Sequence, residues 1–123
     1  MIIYDPRQQA DITRGQRIHS FAEGVDFIPT FVEALVGTPA DHRLEGRSLQ
    51  PLLFSGDGIP WRSAAIAETD YSMRDARAAL DLPPSECRGY MVRSGRYKYT
   101  FWESFPPQLF DMQSDYSEQI DLG

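Results

Sequence analysis

The run from Tyr90 to Phe101, YMVRSGRYKYTF, constrains this chain more than any other stretch. Polar and apolar residues alternate with period two on both sides of a turn pair, which is the pattern of an antiparallel hairpin. With Ser94-Gly95 as a two-residue loop, Val92 falls opposite Tyr97 and Tyr90 opposite Tyr99. Together with Phe101 these form one aromatic face, while Met91, Arg93, Arg96 and Lys98 occupy the other. The aromatic residues read as a packed sheet face, and the basic ones as a solvated surface that discourages edge pairing. Gln108 to Met112 reads as a third strand. Asp115 and Glu118 stand at capping-box spacing and open a final turn, with Ile120 and Leu122 packing back.

Upstream, VDFIPTFVEALVG is the clearest helix. Asp26 can cap it and Pro29 suits its first turn. Ile28, Phe31, Val32 and Leu35 fall on one face, Gly37 supplies the stop, and Pro39 blocks extension. Met1 to Tyr4 reads as a buried strand ended by Pro6, and a chain that starts in mid-strand hints at a piece of a larger protein, with an edge strand at the start of a small sheet as the alternative. Residues 8–24 are polar, with weak strand character at Arg17-Ile18-His19. Ser48 caps a short helical turn carrying Leu49, Leu52 and Leu53, and a turn-rich loop follows at Ser55-Gly56-Asp57-Gly58. Ala64 to Ala67 reads as a strand and Ser72 to Leu80 as a short helix. The class is α+β: a small antiparallel sheet, from the C-terminal hairpin plus a third strand, packed with a few helices.

The length of 123 residues suits about one domain, and 41% hydrophobic residues provide a modest core. A net charge of −6 disfavours nucleic acid as a partner, because phosphate binding needs a concentrated basic surface. No apolar run approaches the length of a membrane span, so no membrane partner is expected. The N-terminus has no secretory signal pattern, which points to the cytoplasm rather than secretion. The single cysteine, Cys87, excludes an internal disulfide.

No assembled chemistry is legible. His19 lies in a polar segment without a partner at ligand spacing. Asp41-His42 is the more tempting ligand pair, but it sits in a loop just past the helix beside Arg43, where solvation is the simpler reading. Cys87 has only Arg88 nearby to activate it and reads as a partly buried structural thiol. An independent small enzyme would need Asp41, His42 and Glu68 to converge. No catalytic, cofactor-binding or metal-ligating residue is assigned in this chain.

Several segments, taken in order, resemble the C-terminal part of the sulfatase family, in the arylsulfatase and phosphonate monoester hydrolase branch of the alkaline-phosphatase-like superfamily. IIYDPR is similar to the strand after that family's last metal-binding segment. VDFIPTFVEALVG is similar to its V-D-x-x-P-T helix, and LEGRSLQPLL to its L-x-G-x-S-L-x-P-L-L segment. MVRSGRYKYTFW and PQLFDMQSDYSEQIDLG are similar to its closing hairpin and its ending, with Tyr116 where the family usually has Pro. The resemblance implies that residues 1–60 are a strand and helix from the end of an α/β main domain, and that residues 61–123 are the C-terminal antiparallel-sheet subdomain. It implies a divalent metal and a formylglycine nucleophile for the full-length family only. Cys87 is followed by Gly89 and Met91 at the diagnostic positions and does not fit the nucleophile motif, and Asp41-His42 follows the first strand rather than preceding it. The expected function is a C-terminal fragment of a sulfatase-like hydrolase of sulfate or phosphonate and phosphate esters, inactive alone. Its partner would be the upstream catalytic domain of the same enzyme or its own copies. The alternative is a free-standing interaction module that docks on a catalytic chain or self-associates. Residues 68–74 would suit the mouth of a full-length active site, although a solvated loop opening a helix also accounts for them.

Overall fold

The computed structural model describes residues 1–40 and 42–123. They form two compact units, Met1–Ser63 and Ala64–Gly123.

The first unit is built from turns and short helices. Helix α1 spans Phe27–Ala34 and α2 spans Gln50–Ser55. A 3-10 turn at Gly24–Asp26 leads into α1. Asp26 stands at the N-cap position of α1, as expected, but its side chain makes no cap bond to that helix. Glu23, rather than Asp26, is the outer cap of that turn, and the two residues bond reciprocally as a capping box, with Glu23 N–H donating to Asp26 Oδ2 at 2.8 Å. The N-cap of α2 is Leu49, which has no capping side chain; Ser48, one residue earlier, accepts from Gln50 N–H at 3.2 Å. Leu49 and Leu52 are buried beside it.

Helix α1 faces the opposite way from its apolar periodicity. Pro29 and Thr30 are buried, whereas Phe31 is 59% and Leu35 83% exposed. Phe27 and Phe31 stack on each other at 6.3 Å on that open side. Periodicity shows which residues share a face; it does not show which face the rest of the chain can cover. Beyond α1, Val36 takes the left-handed conformation (φ 63°) instead of Gly37. Gly37 is held by proximity: a Cβ there would stand 2.8 Å from the Val32 side chain.

Met1 to Tyr4, expected as a strand, forms no ladder. Strands exist by pairing, and no described segment of this chain forms a ladder with it; Ile2 is fully exposed. Arg17-Ile18-His19 is likewise not a strand. The adjoining loop is instead pinned by the Asp57 carboxylate, which accepts from the His19 and Ser20 backbone N–H groups at 2.8 Å and from Ser20 Oγ at 2.6 Å.

The second unit is a four-stranded antiparallel meander in the order β1 (Ala64–Asp70), β2 (Arg88–Ser94), β3 (Tyr97–Trp102) and β4 (Phe105–Asp111). Helix α3, Asp75–Ala79, lies in the connection between β1 and β2. The hairpin loop is Gly95-Arg96, so Val92 pairs with Tyr99 and Tyr90 with Phe101, two residues along from the expected register. A two-residue shift preserves parity, and the face assignment therefore survives. Which face is covered does not. Val92 and Tyr99 are each 41% exposed and Phe101 42%, whereas Thr100 and Phe110 on the other face are buried. Asp115 to Glu118 forms turns rather than a capped helix. Asp115 Oδ2 accepts from Ile120 N–H at 2.7 Å, Glu118 pairs with Lys98 at 2.6 Å, and Ile120 and Leu122 remain exposed.

Candidate functional site

Asp26 is completely buried and joins three separate segments of the first unit. Its Oδ2 accepts from Glu23 N–H. Its Oδ1 accepts from Arg47 N–H at 2.9 Å and from Arg62 Nη2 at 2.6 Å. Arg62 also pairs with Glu23. One helical turn on, Thr30 Oγ1 donates to the Asp26 carbonyl at 2.6 Å and accepts from Leu49 N–H at 2.8 Å. Trp61 closes the cluster: its Nε1 donates to the Phe21 carbonyl at 2.6 Å, and the guanidinium carbons of Arg47 and Arg62 lie 5.2 Å and 5.7 Å from its ring centroid. Gly46 permits the approach, since a Cβ there would be driven into the Val25 carbonyl and stand 2.8 Å from the Asp26 nitrogen. Charge and hydrogen-bonding capacity are both satisfied, which is the condition for burying a carboxylate.

The bonds of this cluster hold three segments of the first unit in place. The residues weighed as chemical candidates are not brought into one site. His19 is exposed, with its backbone bound to Asp57. Asp41 lies outside the described residues, and with it the Asp41-His42 pair. Glu68 is exposed on β1, opposite Tyr90. Cys87 is fully rather than partly buried, its Sγ 3.3 Å from the Pro83 carbonyl, and burial pushes its thiol above the ordinary value. Of residues 68–74, Glu68 to Asp70 end β1, and the Tyr71 hydroxyl is buried without a partner. Burial, then the nearby Cys87 and Glu103, raise the Tyr71 pKa.

A divalent metal and a formylglycine do not fit these residues. Among the described residues no three of His, Cys, Asp and Glu converge on one point, and the buried, motif-less Cys87 offers no nucleophile.

No family model matches the chain. Individual proteins do. Over 115 residues it is 33% identical to the multifunctional alkaline phosphatase superfamily protein PehA of Trinickia caryophylli, a match covering 89% of this chain and 22% of that protein. To arylsulfatase K of Xenopus laevis it is 27% identical over 126 residues, spanning 100% of this chain and 22% of that one. The phosphonate monoester hydrolase of Agrobacterium radiobacter superposes with a TM-score of 0.73 at 30% identity, over 88% of this chain and 22% of its own. The chain resembles the C-terminal portion of these sulfatase and phosphonate monoester hydrolase proteins.

It spans about a fifth of the length of these sulfatase-family relatives (22%). The sulfatase-like V-D-x-x-P-T and L-x-G-x-S-L segments supply Asp26, Thr30, Gly46, Ser48 and Leu49, which are hub residues or their immediate supports. Sequence reasoning missed the hub. Asp26 reads as an ordinary cap, and Arg62 stands 36 residues away with no local pattern to connect the two. The available signal was the spacing of Asp26 and Thr30, four residues apart at the start of a short helix.

Proposed function

We propose that this chain is the C-terminal scaffold portion of a sulfatase-like hydrolase acting on sulfate or phosphonate and phosphate esters, and that it is inactive alone. The observation that carries this reading is the match to about 22% of each relative, together with a buried hub at Asp26 that holds segments of this chain in place. The divalent metal and the formylglycine would belong to the remainder of the enzyme. The upstream catalytic domain of the same polypeptide would be the partner. The first measurement is an immunoblot of source cells with an antibody to this chain. A band several-fold heavier than 14.0 kDa supports the reading. The purified 123-residue chain should hydrolyse neither aryl sulfates nor phosphonate monoesters, and stoichiometric turnover by it would sink the proposal.

A second reading rests on a separate observation. Ile66, Val92, Tyr99 and Leu109 form a continuous row across all four strands, and its first three members are well exposed. A free-standing interaction module, docking on a catalytic chain or on its own copies, would use such a surface. A native band at 14.0 kDa, with a solution mass above that of a monomer, would favour it.

A further inference from the structure

The second unit contains a cleft of about 650 Å³. That volume lies within the range of small-molecule sites. Its walls come from the end of β1, α3, the β3–β4 turn and the C-terminal tail. Trp102 and Phe105 face each other across that turn, and Tyr71 meets Trp102 edge-on at 6.1 Å and 71°. Trp102 Nε1 donates to Gln108 Oε1 at 3.2 Å, which fixes the indole; one side of its ring lies against Gly89, where a Cβ would stand 2.4 Å away, and the indole also lines the cleft. Leu80 and Phe105 are exposed at the cleft. Asp121 supplies the single charge of the lining. Its Oδ1 accepts from Leu109 N–H at 2.9 Å and Gly123 N–H at 3.0 Å, and these two bonds hold its carboxyl below the ordinary range, so it is ionised at neutral pH. No Lys, Arg or His lines the cleft.

We propose that this cleft binds an alkylated ammonium group, with the rings of Trp102, Tyr71 and Phe105 against its methyl groups and the Asp121 carboxylate as counter-charge. The lining selects by charge. An anion meets a carboxylate with no cation to offset it. A neutral apolar ligand would take Asp121 out of water with its two backbone donors but no counter-charge, which is costly. A small inorganic cation gains nothing from the aliphatic walls and keeps its water. A cation with an apolar hull satisfies both the ring faces, whose quadrupole attracts positive charge, and the carboxylate.

The test is titration of the full 123-residue chain with tetramethylammonium chloride, with sodium chloride and tert-butanol as controls for ionic strength and apolar bulk, followed by amide and indole proton–nitrogen spectra. Tetramethylammonium should move the Trp102 indole signal and the Leu109 and Gly123 amides in a saturable way. Asp121→Asn keeps an oxygen for both backbone donors and removes the charge, and should weaken binding about fivefold, as should Phe105→Leu, which removes a ring and keeps the bulk. Equal binding of tert-butanol, or an unchanged affinity in Asp121→Asn, would show an apolar cleft with no cation preference and overturn the proposal. The absence of saturable shifts from tetramethylammonium in a well-dispersed spectrum would overturn it as well.

Discussion

Asp26→Ala is the substitution that tests the hub most directly. It removes the acceptor of three donors: Glu23 N–H, Arg47 N–H and Arg62 Nη2. Arg62 retains Glu23, so its charge stays paired and adds little to the loss. The two backbone donors lose the Asp26 carboxylate, a side chain that is fully closed to water. A buried donor stripped of its acceptor costs about 1–3 kcal/mol, which gives about 2–6 kcal/mol for the pair before relaxation. That is a large share of a typical domain stability of about 5–15 kcal/mol. The assay is a urea titration by circular dichroism, combined with hydrogen exchange at the Glu23 and Arg47 amides. Both amides should lose protection in the variant, while amides of the four-stranded sheet keep theirs. Asp26→Asn should fall between wild type and Asp26→Ala: its oxygen can still serve Arg47, but its NH2 group then opposes Glu23 N–H, donor against donor. A loss below about 1 kcal/mol for Asp26→Ala, in the range of an exposed ion pair, would refute the assignment of Asp26 as the organising group.

The remaining predictions concern single features. Gly46→Ala should destabilise by about 1–3 kcal/mol or more, because its Cβ meets the Val25 carbonyl rather than a movable side chain; a near-neutral urea midpoint would contradict the close approach. Tyr71→Phe should be neutral or raise the melting temperature, since it deletes a buried hydroxyl that has no partner, and a marked loss would mean that the hydroxyl is bonded in solution. Asp111 is held down to about 2 by Arg96, below its ordinary 3.8. A carboxyl depressed in the folded state contributes stability above its unfolded value and loses it as pH falls through the folded one. Wild type should therefore exceed Asp111→Asn at pH 5, and the difference should close between pH 4 and pH 2. A gap that stays constant over that window would count against the Arg96 pairing.

The second unit was far more legible in the sequence than the first. Strand alternation and turn residues are local signals, and the Tyr90–Phe101 hairpin follows from them, apart from its loop position. Ser94-Gly95 looks like the better turn pair. Pairing is nevertheless settled by the whole ladder, in which β2 must also match β1 through Ile66 and Val92. In the first unit, the long-range bonds run between residues 19 to 43 positions apart, such as Asp26 with Arg47 and Arg62 with Glu23. No periodicity reports such bonds. Met1 to Tyr4 has strand composition but no pairing partner here, and composition alone does not make a strand.

The contrast between α1 and the sheet has a common physical cause. On both elements the residues with the strongest apolar periodicity are the exposed ones: Phe31 and Leu35 on the helix, Val92, Tyr99 and Phe101 on the sheet. The opposite faces are held by polar groups with specific partners, Thr30 with Leu49 on α1 and Lys98 with Glu118 on β3. Hydrogen bonds and ion pairs need defined geometry, so they mark what this chain has already folded against. Apolar burial is non-directional, and an apolar face is indifferent to the identity of whatever covers it. Two uncovered apolar faces beside two fully specified polar ones are what a scaffold would show if its directional contacts were internal and its hydrophobic contacts were made with other polypeptide surface. That pattern ties the proposed scaffold role to a physical observable: if a partner covers these faces, Phe31, Leu35, Val92 and Tyr99 should lose exposure on binding, while the Asp26 hub should not change.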